Sequence, residues 1–369
     1  MTGLNGLFGE TAGLASVVAW RAVAGGDDAA WLPVFEPTLE IAVANASTGL
    51  DIVGVGNAIL DVFAHVDDDF IDSHGLQKGS MALVDEDRSS LLYQAVVPTV
   101  EVSGGSCANT IVAAASFGAK VGYIGKVRDD SQGGTFIEDA RTAGVVFRTP
   151  PARSGPRTAC CVVMVSPDGQ RTMNTYLGAS AELGPDDIDK ELVESATVTY
   201  LEGYLWDRPS AKDALQSAMT IARDAGRKVA LTLSDSFCVQ RFRDEFRGLA
   251  ENSVDILFGN EDELMALYQV DSIEQALHRL EGRCEIVAVT RSEKGSLIAA
   301  DGRLHEVAAV PVDSVVDTTG AGDAYAAGFL YGLTQGLSLP ECGRLGSVAG
   351  AEVVSHLGAR PRTSLATLR

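Results

Sequence analysis

The chain has 369 residues, 46% of them hydrophobic and 39 of them glycine, enough for one large core. Its formal net charge of −21 denies it the basic face that nucleic acid requires and disfavours an anionic membrane. A small anion held locally by N–H groups or a metal stays compatible with that charge.

Residues 1–48 are rich in Ala, Gly and Val, hold Trp20 and Trp31, and lose any periodic core pattern past Ala30. They are expected to be an extension outside the main domain: a covering helix, a disordered tail or an over-extended start. The first basic residue is Arg21, after Glu10, so no secretory signal is expected. No apolar run approaches the ~20 residues of a membrane span. The six cysteines form no CxxC pair and read as reduced core thiols, and the five histidines lack metal-ligand spacing. These features together predict a cytoplasmic protein whose main domain covers 49–369.

From residue 52 onward, short β-rich runs alternate with helical patterns. Strands are predicted at 52–55, 121–124, 198–201, 229–233, 254–258, 286–290 and 296–300, and helices at 210–225, 239–251 and 273–281. This alternation predicts an α/β fold, with a mostly parallel sheet flanked by helices and ligands beyond the carboxyl ends of its strands. Runs at 81–84, 100–102, 159–165 and 173–177, with a Pro167-Asp168-Gly169 turn, break the pattern. They predict a small β-rich lid, mostly antiparallel, drawn from about 78–103 and 157–180; edge strands of the main sheet are the alternative.

The chemistry concentrates in Asp317-Thr318-Thr319-Gly320-Ala321-Gly322-Asp323, which opens an apolar helical run. A glycine-rich turn at a helix start aims free N–H groups at one anion, and Asp323 places a base beside it. No GxxxxGK[ST] string occurs, and the GxG at Gly54 and Gly56 lacks its third glycine, that position being Ile59. A second cluster runs Gly104-Gly105-Ser106-Cys107-Ala108-Asn109 into an Ala-rich helix, directing the Asn109 amide toward a ligand; a tight turn with an N-cap serine is the plainer reading. Asn57 and Asp61, expected just past a strand, suit the vicinal hydroxyls of a sugar.

The string from Gly104 to Gly134 resembles the first signature of the PfkB, or ribokinase-like, sugar and nucleoside kinases, and the string from Asp317 to Leu330 resembles the second. Within that family GNAILDV from Gly56, MNTYLGA from Met173, YLEGYLWD from Tyr200 and TLSDSF from Thr232 are most similar to the bacterial adenosine kinase branch. The resemblance implies a ribokinase-like fold and transfer from ATP to the 5′-hydroxyl of adenosine. It implies Asp323 as base, with Gly320, Ala321 and Gly322 as the anion hole. Asn57, Asp61, Gly105 and Asn109 fall at ribose-holding positions. Asn260 and Glu263 match the NxxE motif that organises Mg2+ through its waters, and Thr290, Gly295 and Ser347 fall near the ATP site. As in some relatives, a monovalent cation such as K+ is expected near Asp313 and Asp317.

In the 173–177 run, alternation sets Met173, Thr175 and Leu177 on one face, where they are expected to cover a purine, with Phe237 as an aromatic wall. Arg171 is expected to reach the phosphoryl oxygens when the lid closes. Another nucleoside such as guanosine or inosine, a free sugar, or a non-catalytic nucleoside-binding protein stay open as alternatives. So do a monomer and a lid-mediated homodimer.

Overall fold

The computed structural model describes residues 18–22, 31–34 and 49–369. The expectation for 1–48 otherwise lies outside the described residues. Among the described residues sixteen strands run in chain order: β1 (Val18–Ala22), β2 (Trp31–Val34), β3 (Leu50–Val55), β4 (Ile59–His65), β5 (Met81–Leu83), β6 (Val100–Gly104), β7 (Val121–Ile124), β8 (Val146–Phe147), β9 (Ala159–Val165), β10 (Arg171–Tyr176), β11 (Ala196–Glu202), β12 (Lys228–Thr232), β13 (Ile256–Asn260), β14 (Ile286–Thr290), β15 (Ser296–Ala300) and β16 (Arg303–Val307).

Eleven strands form the main sheet, in the order β2-β1-β16-β15-β14-β13-β12-β11-β3-β7-β8. From β14 to β8 every neighbouring pair is parallel, and β15, β16, β1 and β2 extend that edge antiparallel. Parallel strands covered on both faces must be apolar on both faces, and these are. Ile52, Val198, Ala230, Ile256 and Ala288 pack on one side, with residues of helices Ser106–Phe117, Ala321–Thr334 and Leu339–Val354. Val53, Leu201, Leu231, Leu257 and Val287 pack on the other, with helices Pro209–Asp224, Arg243–Asn252, Glu261–Tyr268 and Ile273–Leu280. The helix expected at 239–251 is two, Ser236–Arg241 and Arg243–Asn252, because Phe242 between them leaves helical geometry at φ −119°, ψ 27°.

The second sheet is the lid, ordered β5-β10-β9-β4-β6. Two of its four pairings are antiparallel (β10 with β9, β4 with β6) and two are parallel (β10 with β5, β4 with β9), so the expected mostly antiparallel lid is corrected. The cause is connectivity. Only β9 and β10 meet through a tight turn; β9 returns beside β4 after a long passage through the main sheet. Strand β4 itself was missed: the chain leaves β3 at Gly56 and enters the lid at Ile59. Asp61 therefore lies inside a strand rather than just past one.

Period-two alternation gives the lid two faces. Leu60, Val62 and Ala64 of β4, with Cys160, Val162 and Met164 of β9, form a separate apolar cluster with Ile71 and Leu92 of the lid helices Asp68–Ser73 and Glu86–Ala95. The opposite face carries Asp61 and Phe63, then Cys161 and Val163, then Thr175 and Met173, aligned by register. Arg171 shares that face; its guanidinium lies 5.6 Å from the centre of the Phe63 ring.

Candidate active site

The parallel strands end together. Their carboxyl ends deliver Asn57 after β3, Glu202 on β11, Thr232 on β12, Asn260 on β13 and Thr290 on β14. Two helices begin facing these ends. In the helix Ala321–Thr334, Gly320 is the N-cap at φ 78°, a left-handed conformation, and a Cβ there would strike Ala359 at 2.5 Å. Glycine is thus required by both backbone and space. At Gly322 an added Cβ would meet nothing within 4 Å, and Gly322 and Asp323 line a cleft with Ser106, Thr290, Asn260 and Glu263. The helix start presents its N–H groups to that open space, the arrangement an anion needs.

Asp323 accepts a hydrogen bond from Ser106 Oγ at 2.6 Å and a longer one from Asn109 Nδ2 at 3.4 Å. Burial pushes its carboxyl up to about 6, against the lowering effect of those two donors. Such a group is ionised at neutral pH and close enough to it to take a proton in a transition state. The helix Ser106–Phe117 starts with Gly105 as its N-cap, at φ 100°, and a Cβ there would lie 2.1 Å from the Asn57 carbonyl oxygen. The plainer reading of an N-cap serine is corrected: Ser106 sits one position inside the helix, and its hydroxyl goes to Asp323.

Asn57 does not present a free amide. Its Nδ2 donates to Glu202 Oε1 at 2.6 Å, and its Oδ1 accepts from Ser180 Oγ at 3.0 Å. Glu202, 1% exposed, also accepts from the backbone N–H of Asn57 and of Cys107. Burial raises Glu202 to about 7 despite these donors. It thereby ties the end of β3 to the start of the Ser106 helix. Asp61 is part-exposed on the cleft face of the lid, beside Gly104, where an added Cβ would strike its Oδ2 at 2.1 Å. Burial raises Asp61 to about 7, opposed by the charges of Arg360 and then Arg171.

Asn260 and Glu263 form a reciprocal cap on the helix Glu261–Tyr268. The Glu263 carboxylate accepts from Asn260 Nδ2 at 2.7 Å and from its backbone N–H at 3.0 Å, and burial raises it to about 7. Thr290 lines the cleft with them. Gly295, φ 83°, serves the β14–β15 turn, where a Cβ would strike the Val307 carbonyl. Ser347 is half-buried on the helix Leu339–Val354. Leu177 is corrected: it leaves the strand and caps the short helix Gly178–Glu182, so Met173 and Thr175 keep the shared face without it. Phe237 is 71% exposed on the helix Ser236–Arg241.

Arg171 lies beneath the lid. Its Nη2 is 2.5 Å from Asp317 Oδ2, and both side chains are 9% exposed. The pair is close but not aligned as a hydrogen bond, which leaves Nε and Nη2 without a hydrogen-bond partner. Asp317 also accepts from the backbone N–H groups of Thr319 and Gly358, whereas Asp313 is exposed.

Sequence reasoning passed over Ser106, Glu202 and Arg360. The signal for Glu202 was a single acid ending an otherwise uncharged strand, ATVTYLE. Arg360 had none, since its partners are distant in sequence. A cavity of about 690 Å³ lies away from these residues, between the helix Ile273–Leu280 and the β15–β16 turn. It brings together none of the groups described above, so the smaller cleft is the one with chemistry.

A buried carboxylate beside a glycine-capped helix start, at the ends of a parallel sheet and next to a lid, is an arrangement suited to a phosphotransferase with an alcohol acceptor. Residues 87–365 match the pfkB family carbohydrate kinase domain, and the chain belongs to that family. It is 48% identical to the adenosine kinase from Sinorhizobium meliloti, covering 87% of this chain and 98% of that one, with a TM-score of 0.79. It is 46% identical to a probable sugar kinase from Rhizobium etli CFN 42, at the same coverage, with a TM-score of 0.80. Among curated proteins it is 26% identical to adenosine kinase 1 of Arabidopsis thaliana over 85% of this chain and 97% of that protein. Membership implies ATP as phosphoryl donor, with Mg2+. Among the described residues, no helix is long and apolar enough to cross a membrane.

Proposed function

We propose that this enzyme transfers the γ-phosphoryl group of ATP to the 5′-hydroxyl of adenosine, giving AMP and ADP, in the cytoplasm. The observation that carries the reading is Asp323 at the mouth of the Gly320–Gly322 turn, fixed by Ser106 and Asn109. Phosphoryl transfer asks chiefly for positioning and charge stabilisation. Asp323 takes the hydroxyl proton as the bond to phosphorus forms, while the N–H groups of the turn receive the charge on the phosphoryl oxygens.

Asp61, with the Gly104–Gly105 backbone and Asn109, holds the ribose hydroxyls; Asn57 acts by shaping that cradle through Glu202 and Ser180. Met173 and Thr175 face the base from the lid, and Phe237 and Leu177 flank it. Arg171, paired with Asp317 through Nη2 and with its Nε unmatched, meets the phosphates. Thr290 lines the nucleotide cleft, Gly295 shapes its turn, and Ser347 borders it from the facing helix.

Among the described residues no three metal-binding side chains converge. The residues therefore fit Mg2+ held mainly by phosphate oxygens and water, with Asn260 and Glu263 as outer partners. When bound, the ion neutralises phosphate charge. A monovalent cation such as K+ belongs to the same reading at the loop from Asp313 to Asp317. With the Asp317 carboxylate facing Arg171, that cation would rest on carbonyl oxygens; turnover in potassium against choline buffer tests it. The lid edges carry Met81, Leu83 and Val100, each more than half exposed, which supports a lid-mediated homodimer over a monomer. Sedimentation decides that.

The 46% identity to a probable sugar kinase favours a free sugar as the second reading. A coupled ADP-release assay across adenosine, guanosine, inosine and free sugars separates them. A kcat/KM for any free sugar above that for adenosine overturns the nucleoside reading.

A further inference from the structure

Beneath the lid, one part-buried cation touches both halves of the site. Arg360 lies between the helix Leu339–Val354 and the C-terminus, and the backbone around it is pinned on both sides. Gly358 N–H donates to Asp317 at 3.0 Å, and the N–H groups of Arg362 and Thr363 donate to Glu352 at 2.9 and 2.7 Å. The side chain is 17% exposed and its fork is divided among three elements. Nη1 donates to Asp139 at 2.8 Å on the helix Ser131–Thr142, Nη2 donates to Ser103 Oγ at 2.6 Å on lid strand β6, and Nε donates to Asn109 Oδ1 at 3.4 Å.

We propose that Arg360 is a positioning residue of this site: it turns the Asn109 amide toward Asp323 and places fixed positive charge beside Asp61. The proposal rests on the nucleoside kinase reading of the cleft. With Asn109 Oδ1 accepting from Arg360, its Nδ2 is the atom left facing Asp323. The reverse orientation would set an NH2 group against a guanidinium, two donors with no acceptor. The direction of that amide is thus fixed from both sides, by Asp323 and by a residue from the far end of the chain.

The second half of the argument concerns Asp61. The charged and titratable groups around it are Arg360 from the C-terminal segment, Arg171 from β10, and Cys160 and Cys161 from β9. Neither arginine hydrogen-bonds to it, so its oxygens stay available to accept from a ligand. Burial pushes Asp61 up to about 7, and Arg360 is the foremost influence drawing it down. Without that charge the carboxyl would hold its proton at neutral pH and lose acceptor capacity toward vicinal hydroxyls.

Arg360→Gln and Arg360→Lys in the full chain test this, with thermal melting as the check on folding. The Asp61 carboxyl is titrated by 13C NMR without substrate, assigned through Asp61→Asn, and KM and kcat are measured for adenosine and for ATP. In Arg360→Gln, the Asp61 titration should move to higher pH by about one unit or more. KM for adenosine should rise about tenfold, with KM for ATP little changed. Arg360→Lys should restore the titration while kcat falls below that of the wild type, because one ammonium cannot hold Asn109, Ser103 and Asp139 together. A folded Arg360→Gln enzyme with the Asp61 titration and adenosine KM both unmoved overturns the proposal. If Arg360→Gln does not fold, wild-type kcat in Arg360→Lys overturns it equally. A wild-type enzyme inert toward adenosine would sink the substrate reading alone, since the Asp61 titration needs no substrate.

Discussion

Arg171 on the lid and Asp317 at the start of the glycine turn face each other, their Nη2 and Oδ2 atoms 2.5 Å apart. One residue belongs to lid strand β10, and the other is held by the N–H of Thr319 in the glycine turn and that of Gly358 in the C-terminal segment. The contact therefore joins the lid to the glycine turn, and the Arg171 Nε is left without a hydrogen-bond partner.

Arg171→Ala should lower kcat by about tenfold or more and raise the ratio of ATP hydrolysis to acceptor phosphorylation, because the lid then excludes water poorly. ADP and AMP are quantified in one reaction. Turnover within a factor of ~2 of wild type rules out the clamp.

Asp323→Asn replaces the base with an amide that cannot take a proton. Turnover should fall by roughly 10²–10⁴ while adenosine affinity by calorimetry stays within a few-fold. Equal losses in affinity and turnover would assign Asp323 to binding instead.

The pH profile should have an acid limb. Asp323, raised to about 6, must be ionised to act as base, so kcat at saturating substrate is full above that value and falls as pH drops through it. Ser106 donates to the ionised form. Ser106→Ala removes that donor, so the limb of kcat should move to higher pH. An unmoved or lowered limb would mean that another group sets it.

Stability should fall as pH rises from about 5 to about 8 in urea melts. Asp61, Glu202 and Glu263 are each raised to about 7 by burial. In that window the native chain holds protons that the unfolded chain has released, so unfolding free energy declines with pH. Glu202→Gln should flatten part of the slope and raise the KM for adenosine by disturbing Asn57. A slope unchanged by this variant would show that Glu202 is ionised in the native protein.

Much of the fold was legible because parallel strands buried on both faces leave short apolar runs that little else imitates. The runs at 121–124 and 286–290 are the observed β7 and β14, and the apolar run at 296–300 is the antiparallel β15 beside them. Strand β4 was obscured by Asp61, a charge in an alternating segment that read as a turn. It is tolerated there because its face of the lid opens on the cleft. The parallel pairing of β4 with β9 joins segments about a hundred residues apart, and local pattern carries no information about such partners.

The amino-acid order alone determined the glycine turn, its adjoining aspartate and the alternation that builds the parallel sheet, because backbone freedom, helix polarity and side-chain period act over a few residues. Only the tertiary structure decided that Asn57 serves Glu202, that Ser106 caps no helix but holds Asp323, and that Arg360 reaches Asn109. Those outcomes depend on the crowding of buried polar groups from separate elements, each of which must find a partner once water is excluded.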